Sequence, residues 1–177
     1  MERIGVFCSS HNQLDIQFVQ SAHEFGEWLG SQHKTLVYGG SRCGLMEELA
    51  HAVKNSGGFV VGVVPDIVSQ RSLMSDCIDV EFRCANLSDR KDIMLRESDI
   101  FVALPGGIGT LDEIFTVTAS NTIGYHTKRV LLYNVNGFWD VLWDTLSYMQ
   151  AENVISSTLS CSLVKVNSFE ELKSILE

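Results

Sequence analysis

Short continuous apolar runs alternate along this chain with longer stretches in which apolar residues recur every three or four positions. The short runs predict buried β-strands, and the longer stretches predict amphipathic α-helices. The predicted strands are Ile4–Cys8, Thr35–Tyr38, Phe59–Val64, Ile100–Leu104, Val130–Val135 and Leu163–Val166, with a further short strand around Val80 and Phe82. The predicted helices are Phe18–Leu29, Leu45–Val53, one capped by Ser88 and running to about Glu97, one starting near Thr110, Phe138–Met149, and one opened by a Ser168/Glu171 capping box.

Buried strands that alternate with amphipathic helices predict an α/β fold, in which a parallel sheet carries helices on both faces. The length of 177 residues fits one domain, so we predict a single Rossmann-like domain over residues 1–177. Such folds bind ligands beyond the carboxyl ends of the strands. The loops after Cys8, Tyr38, Val64 and Leu104 are therefore expected to share one edge of the sheet.

Composition and charge exclude several classes of protein. The chain is 45% hydrophobic and 20% charged, with no run near the roughly 20 apolar residues of a membrane span. A strand pattern begins almost at Met1, which leaves no room for a signal peptide. Five cysteines without a C-x-x-C pair predict reduced thiols in a cytoplasmic protein and no zinc site. The net charge of −9 argues against a nucleic-acid partner.

The strongest local signal is the strand-to-helix loop Pro105-Gly106-Gly107-Ile108-Gly109-Thr110. Glycines let the backbone approach a ligand, and the free N–H groups at a helix start attract anions. A sharp turn is the simpler interpretation, but three glycines in four residues exceed what a turn needs. We therefore predict a phosphate site here.

Glu113 has two interpretations. With Thr110 it fits a capping box, in which the glutamate accepts the Thr110 N–H. Alternatively it faces the ribose of a bound nucleotide, where positive charge develops as a glycosidic bond breaks. Local sequence does not decide between them.

Two further segments carry candidate chemistry. Gly39 and Gly40 open a second glycine-rich loop, which either packs beside the first or contacts the ligand. Neither loop has the G-x-G-x-x-G spacing of dinucleotide-binding folds, which argues against an NAD-linked oxidoreductase. Arg90 and Lys91 lie early in a predicted helix, where cations are disfavoured. They form either a solvated ion-paired face or part of the site.

These segments resemble the lonely-guy (LOG) phosphoribohydrolases, long mislabelled as lysine decarboxylases. The resemblance lies in P-G-G-x-G-T-x-x-E at Pro105 to Glu113 and in the Arg90-Lys91 pair. It covers most of the chain from residue 3 to about 155, through Val6–Ser10, Tyr38–Gly40, Gly44–Met46, Gly58–Pro65 and Leu132–Gly137.

The resemblance implies a Rossmann-like homodimer without a metal or organic cofactor. It implies hydrolysis of the N-glycosidic bond of a nucleoside 5′-monophosphate, either AMP or an N6-substituted, cytokinin-type relative, to free base and ribose 5-phosphate. Arg90 and Glu113 would be the catalytic pair. The implied substrate-binding residues are Gly106, Gly107, Ile108, Gly109, Thr110, Lys91, Ser9, Gly39 and Gly40. His11 and Asp89 are candidates for the general acid.

The chain departs from the family pattern near the expected base pocket and dimer contact. The departures are Ser41, Glu47, Leu87, Ser88, Thr116, Ser120, Asn121 and Thr122. They keep a rival function open, a nucleotide-binding sensor or carrier of the same fold without catalysis. The sequence leaves the preferred base undetermined.

Overall fold

Seven strands form one parallel sheet in this computed structural model, which describes residues 1–67, 73–155 and 159–177. The strands are β1 (Arg3–Phe7), β2 (Thr35–Tyr38), β3 (Phe59–Pro65), β4 (Val80–Cys84), β5 (Ile100–Ala103), β6 (Val130–Tyr133) and β7 (Leu163–Val166). Their order across the sheet is β4-β3-β2-β1-β5-β6-β7, and every pairing is parallel. The predicted Rossmann-like α/β fold is therefore confirmed.

Helices cover both faces of this sheet. They are α1 (Ile16–Ser31), α2 (Gly44–Asn55), α3 (Leu87–Glu97), α4 (Ile108–Thr122), α5 (Asp140–Ala151), α6 (Leu159–Ser162) and α7 (Phe169–Leu176), with a short 3₁₀ helix at Val135–Gly137. Helices α1, α2 and α7 contribute to one hydrophobic core, and α3 to α6 contribute to the other.

Successive side chains along each strand point to opposite faces of the sheet and therefore enter different cores. Within β1, Ile4 and Val6 enter the core beneath α1 and α2, whereas Phe7 enters the opposite core. Within β5, Val102 and Phe101 divide in the same way. Since both faces are covered, both sets must be apolar, which explains the continuous apolar runs in the sequence.

The chain reverses its direction of travel across the sheet at β1. Strands β2, β3 and β4 extend from one side of β1, and β5, β6 and β7 extend from the other. The carboxyl ends of β1 and β5 therefore flank a topological switch point, where open α/β sheets form ligand crevices. Because these strands are all parallel, the carboxyl ends of β1, β2, β3 and β5 share this edge, as predicted.

Some helix and strand limits differ from the prediction. Helix α3 is capped by Asn86 and not by the predicted Ser88, because Asn86 directly precedes the helix and its Oδ1 accepts the N–H of Ser88 and Asp89. Strand β6 ends at Tyr133, and α5 begins at Asp140 after the 3₁₀ helix. Ser168 does cap α7 and accepts the Glu171 N–H, while Glu171 reaches the N–H of Asn167. The predicted loop after Val64 lies in part outside the described residues.

Among the helices of the described segments, none combines the length and apolar character needed to cross a bilayer. Residues 68–72 and 156–158 are outside this statement.

Candidate active site

A cavity of about 370 Å³ opens at the switch point between β1 and β5. Its volume lies in the range typical of small-molecule sites. The loop after β1, the start of α3 and the first turns of α4 form its walls. The lining residues are Cys8, Ser9, Ser10, His11, Met46, Leu87, Arg90, Lys91, Gly107, Ile108, Gly109, Thr110, Asp112 and Glu113.

Arg90 and Glu113 meet on one wall of this cavity. Arg90 Nη2 donates to Glu113 Oε1 at 2.5 Å, and the two side chains are only 13% and 7% exposed. Arg90 comes from the first turn of α3 and Glu113 from α4, so the fold brings together residues that lie 23 positions apart. The Nε of Arg90 is buried and finds no hydrogen-bond partner within the described segments.

Burial changes the acidity of Glu113. Desolvation raises the pKa of its carboxyl to about 7, although the neighbouring Arg90 opposes the rise. Asp112 adds a smaller upward contribution, and Lys91 a smaller downward one. The carboxyl thus changes its charge close to neutral pH, the range in which an acid–base group is most effective.

The first turn of α4 presents free backbone N–H groups to the same cavity. Gly107 is the N-cap residue and supplies no side-chain cap, so the N–H groups of Ile108, Gly109 and Thr110 lack intrahelical partners. A Cβ at Gly107 or Gly109 would meet no protein atom within 4 Å. Packing therefore gives no reason for glycine at these two positions, whereas the close approach of an anion does.

The capping-box interpretation of Glu113 is wrong. Helix α4 begins at Ile108, two residues before the predicted start, so Thr110 lies within its first turn and is not the N-cap. The Glu113 carboxylate contacts Arg90 and turns toward the cavity. The difference arises because the glycine-rich loop enters the helix directly, without a side-chain cap.

The three other predicted glycines, Gly39, Gly40 and Gly106, pack closely against neighbouring side chains. A Cβ on Gly106 would lie 2.1 Å from Thr110 Oγ1, and one on Gly39 would lie 2.5 Å from Arg90 Nη2. Gly40 has φ of +73° and packs against Val64. Gly106, Gly39 and Gly40 do not line the cavity in the described structure; Gly106 and Gly39 border residues that do.

The other predicted residues fall into two groups. Ser9, His11 and Lys91 line the cavity, and Lys91 Nζ binds both carboxylate oxygens of Asp112 at 2.8 Å. Asp89 is outside the lining, and its Oδ2 accepts the N–H of Ala85 in the loop before α3.

Several departures from the LOG pattern have local partners. On α4, the hydroxyls of Thr116 and Ser120 donate to the carbonyls of Asp112 and Thr116, and Thr122 donates to Ala119. Ser41 forms an isolated bridge with Met74, and Leu87 lines the cavity. The hydroxyls of Thr116, Ser120 and Thr122 are thus engaged with their own helix.

Sequence reasoning did not assign Cys8, Met46 or Asp112 to the site. Cys8 is 2% exposed at the cavity floor, where burial raises the pKa of its thiol. Its prediction as a core residue agrees with this burial. Asp112 adjoins Glu113 in the sequence, but its pairing with Lys91 depends on how α3 and α4 pack.

Comparisons with known proteins identify the family of this chain. A family model described as "Possible lysine decarboxylase" matches residues 46–176. A probable cytokinin riboside 5′-monophosphate phosphoribohydrolase of Oryza sativa subsp. japonica, LOGL9, is 41% identical over 79% of this chain and 62% of its own length. The cytokinin riboside 5′-monophosphate phosphoribohydrolase LOG1 of Arabidopsis thaliana is 36% identical over 99% of this chain and 83% of its own length.

A solved structure shows the same fold. The molybdenum cofactor carrier protein of Chlamydomonas reinhardtii superposes with a TM-score of 0.75 over 99% of this chain and 95% of the carrier. At 20% identity, this likeness concerns the fold alone. The family match over residues 46–176 and the full-length relatives decide the family: the chain belongs to the LOG family of phosphoribohydrolases.

Proposed function

We propose that this protein hydrolyses the N-glycosidic bond of a nucleoside 5′-monophosphate, AMP or a cytokinin riboside 5′-monophosphate, to free base and ribose 5-phosphate. The observation that carries the proposal is the buried Arg90–Glu113 pair beside the uncapped N-terminus of α4. The LOG relatives, whose names state a cytokinin riboside 5′-monophosphate substrate, support the same reaction.

The 5′-phosphate is assigned to the first turn of α4. The free N–H groups of Ile108, Gly109 and Thr110 and the positive end of the helix dipole favour an anion there. Lys91 at the cavity wall adds a cation, which in the free protein is held by Asp112. This local arrangement explains how a chain of net charge −9 binds a phosphate.

Glu113 is assigned to the reacting ribose. It lies three residues beyond Thr110, about 4.5 Å along the helix axis, so a sugar extending from the phosphate passes its carboxylate. The ionised carboxylate stabilises the oxocarbenium-like transition state or orients the attacking water. A pKa of about 7 leaves a large ionised fraction at neutral pH.

Arg90 is assigned to positioning and charge stabilisation. Its Nη2 holds Glu113, and its planar guanidinium lies at the cavity wall, where it can donate to a ribose or phosphate oxygen. The leaving base departs with a proton, and His11, which lines the cavity, is the candidate donor. Asp89 is a weaker candidate because it serves the loop before α3.

The proposal includes a cytoplasmic homodimer. All five cysteines are free thiols, which suits a reducing compartment. Large apolar side chains on and after α4 are exposed, among them Phe115, Ile123 and Tyr125. Such exposed apolar surface is typical of a protein–protein contact.

Base release measured by chromatography tests the proposal. The purified protein is incubated with AMP and with isopentenyladenosine monophosphate, and Glu113→Gln is assayed in parallel. Glutamine keeps the shape and a hydrogen bond to Arg90 but cannot carry a negative charge. We expect release by the native protein, a loss of at least 100-fold in the variant, and an unchanged melting temperature.

The rival function is a nucleotide-binding sensor or carrier without catalysis. It is kept because Thr116, Ser120 and Thr122 depart from the LOG pattern. Binding of AMP by calorimetry without base release from either nucleotide would favour that function and overturn hydrolysis.

A further inference from the structure

A second cluster of reactive side chains lies outside the active-site cavity. Glu47 and His51 occupy successive turns of α2, and Cys77 lies in the segment before β4. One carboxylate oxygen, one imidazole nitrogen and the thiol sulfur all lie within 4.8 Å of one another. Glu47 and His51 also line a second cavity of about 280 Å³, which shares His11 with the active-site cavity.

His51 sits between the other two side chains. Its Nδ1 lies 3.3 Å from Cys77 Sγ, and its Nε2 lies 3.2 Å from Glu47 Oε1. The spacing of four residues on α2 places Glu47 and His51 on the same helix face. The His51 side chain is 56% exposed, so its ring can turn to direct one nitrogen toward the centre of the cluster.

Only one of the two Glu47 carboxylate oxygens, the one beside His51, has a partner among the described residues. Its Oε2 is buried and has no hydrogen-bond partner in the described part of the chain. An unpaired buried carboxylate oxygen is costly, since it has lost its water without gaining a donor. A cation coordinated at this point removes that cost.

We propose that Glu47, His51 and Cys77 bind a Zn²⁺ ion, with a water molecule from the adjoining cavity as fourth ligand. A thiolate, an imidazole and a carboxylate are the ligand types that Zn²⁺ takes, and three protein ligands leave one position open. Tetrahedral zinc holds its ligand atoms about 3.5 Å apart, so the widest pair must close by about 1 Å. Side-chain rotation achieves this.

Binding changes the protonation of Cys77. Burial raises the pKa of this thiol, and Glu47 and Asp76 add to the rise. The ion opposes these effects, so Zn²⁺ binding displaces the thiol proton to solvent and leaves a coordinated thiolate. The two negative ligands then balance the charge of the ion.

The ion fastens the segment before β4 to the rest of the fold. Residues 73–77 already contact the loop after β2: Arg42 N–H donates to Leu73 O, and Ser75 N–H donates to Gly40 O. A Zn²⁺ bridge from α2 to Cys77 strengthens this attachment. The three proposed ligands do not line the active-site cavity, and the proposal does not depend on the proposed function.

Cobalt substitution tests the proposal. Protein treated with a chelator and a reductant is titrated with Co²⁺, and thiolate-to-cobalt charge-transfer absorption is recorded. We expect one equivalent of Co²⁺ per chain, displaced by Zn²⁺, and a higher melting temperature with Zn²⁺. Cys77→Ser should abolish the absorption, and Glu47→Gln and His51→Gln should each weaken Zn²⁺ binding at least tenfold.

Matched variants exclude other sites. Cys161→Ser removes an exposed thiol, and Glu48→Gln removes a carboxylate on α2 that pairs with His23. Both should leave the absorption unchanged. Absence of the charge-transfer band from the native protein, or its persistence in Cys77→Ser, would overturn the proposal. Because Glu47→Gln and His51→Gln alter less buried residues, they remain informative if Cys77→Ser fails to fold.

Discussion

The Arg90–Glu113 pair is an expensive feature for a small fold to maintain. Removing two charges from water costs several kcal/mol per ion before their attraction is counted, and a buried pair adds little net stability. Here the pair lines a cavity and leaves the Nε of Arg90 without a partner among the described residues. The place of both side chains on the cavity wall supports the substrate-binding role proposed for them.

The raised pKa of Glu113 makes the reaction depend on pH. If the ionised carboxylate is required, kcat/KM for AMP should rise about tenfold per pH unit below about 7 and level off above it. Asp112→Asn removes a contribution that raises this pKa, so its profile should shift to lower pH. A flat profile between pH 5 and 8 would contradict an acid–base role.

The raised pKa of Glu113 also makes the stability of the fold depend on pH, in the direction opposite to that of the activity. The folded-state pKa of about 7 lies above the ordinary value of 4.5, so folding favours the protonated carboxyl. Its stabilising contribution is complete below about pH 4.5 and is lost as the pH rises through about 7. The pH of best activity and the pH of best stability for this group therefore differ.

Gly39 lies directly against the guanidinium of Arg90, and Gly39→Ala tests that contact. The added Cβ would lie 2.5 Å from Arg90 Nη2, so the guanidinium must move away from Glu113. We expect kcat for base release to fall at least tenfold while the chain remains folded, checked by steady-state assay and thermal unfolding.

Gly124→Ala is the matched control for that variant. Gly124 has φ of +85°, an added Cβ would meet nothing within 4 Å, and the residue does not line the active-site cavity. Alanine there costs about 1 kcal/mol of stability through backbone strain and should leave kcat unchanged. Equal effects of both variants on kcat would refute the positioning role of Gly39.

At the scale of elements, α4 combines two functions that normally conflict. Under the proposed function its first turn must remain uncapped and glycine-rich to bind an anion, whereas its later turns bury Ile114 and Val117 in the core. The sequence identified the glycine-rich loop, but it predicted a helix start near Thr110, two residues after the observed start at Ile108. Packing of the later turns keeps the helix intact despite Gly109 near its beginning.

Gly109→Ala separates helix stability from ligand binding. Alanine favours a helix by up to about 1 kcal/mol over glycine, so the melting temperature should rise or stay level. The methyl group occupies the space where the phosphate approaches the N–H groups, so KM for AMP should rise at least tenfold.

Ala119 lies on the exposed face of the same helix, and Ala119→Gly is the matched control for Gly109→Ala. It should lower stability by about 1 kcal/mol and leave KM unchanged. An unchanged KM in Gly109→Ala would exclude a phosphate site at the first turn of α4.

At the scale of the whole molecule, the strand order creates the site. Only the neighbouring positions of β1 and β5 bring the loop after β1 against the first turns of α3 and α4. The proposed dimer belongs to this scale as well, because Phe115 on α4 and Ile123 directly after α4 are exposed, while the other face of α4 packs on the core.

Light scattering combined with size-exclusion chromatography measures the assembly state. We expect twice the 19.7 kDa mass of one chain at micromolar concentration. Ile123→Ser should shift the equilibrium toward monomer, and Val141→Ser, an exposed apolar residue on α5, should not. A monomeric native protein would contradict the proposed homodimer.

The sequence by itself determined the elements and the family. Continuous apolar runs and helical spacing are local properties, so all seven predicted strands and the α/β class were recovered, with strand limits that are exact or differ by at most two residues. The spacing from Gly106 to Glu113 was enough to indicate the phosphate loop and the LOG resemblance. The N-cap of α3 was predicted at Ser88 and not at Asn86, because both residues are polar side chains that can cap a helix and they lie only two positions apart.

Only the tertiary structure decided which distant residues meet. Periodicity does not encode the strand order, so the ion pair of Arg90 with Glu113 and the contact of Gly39 with Arg90 could not be derived from spacing. The cluster of Glu47, His51 and Cys77 was likewise hidden, because its ligands lie on α2 and in the segment before β4 and lack a paired-cysteine motif. Burial, which raises the pKa of Glu113, is a property of the packed molecule and not of the sequence around one residue.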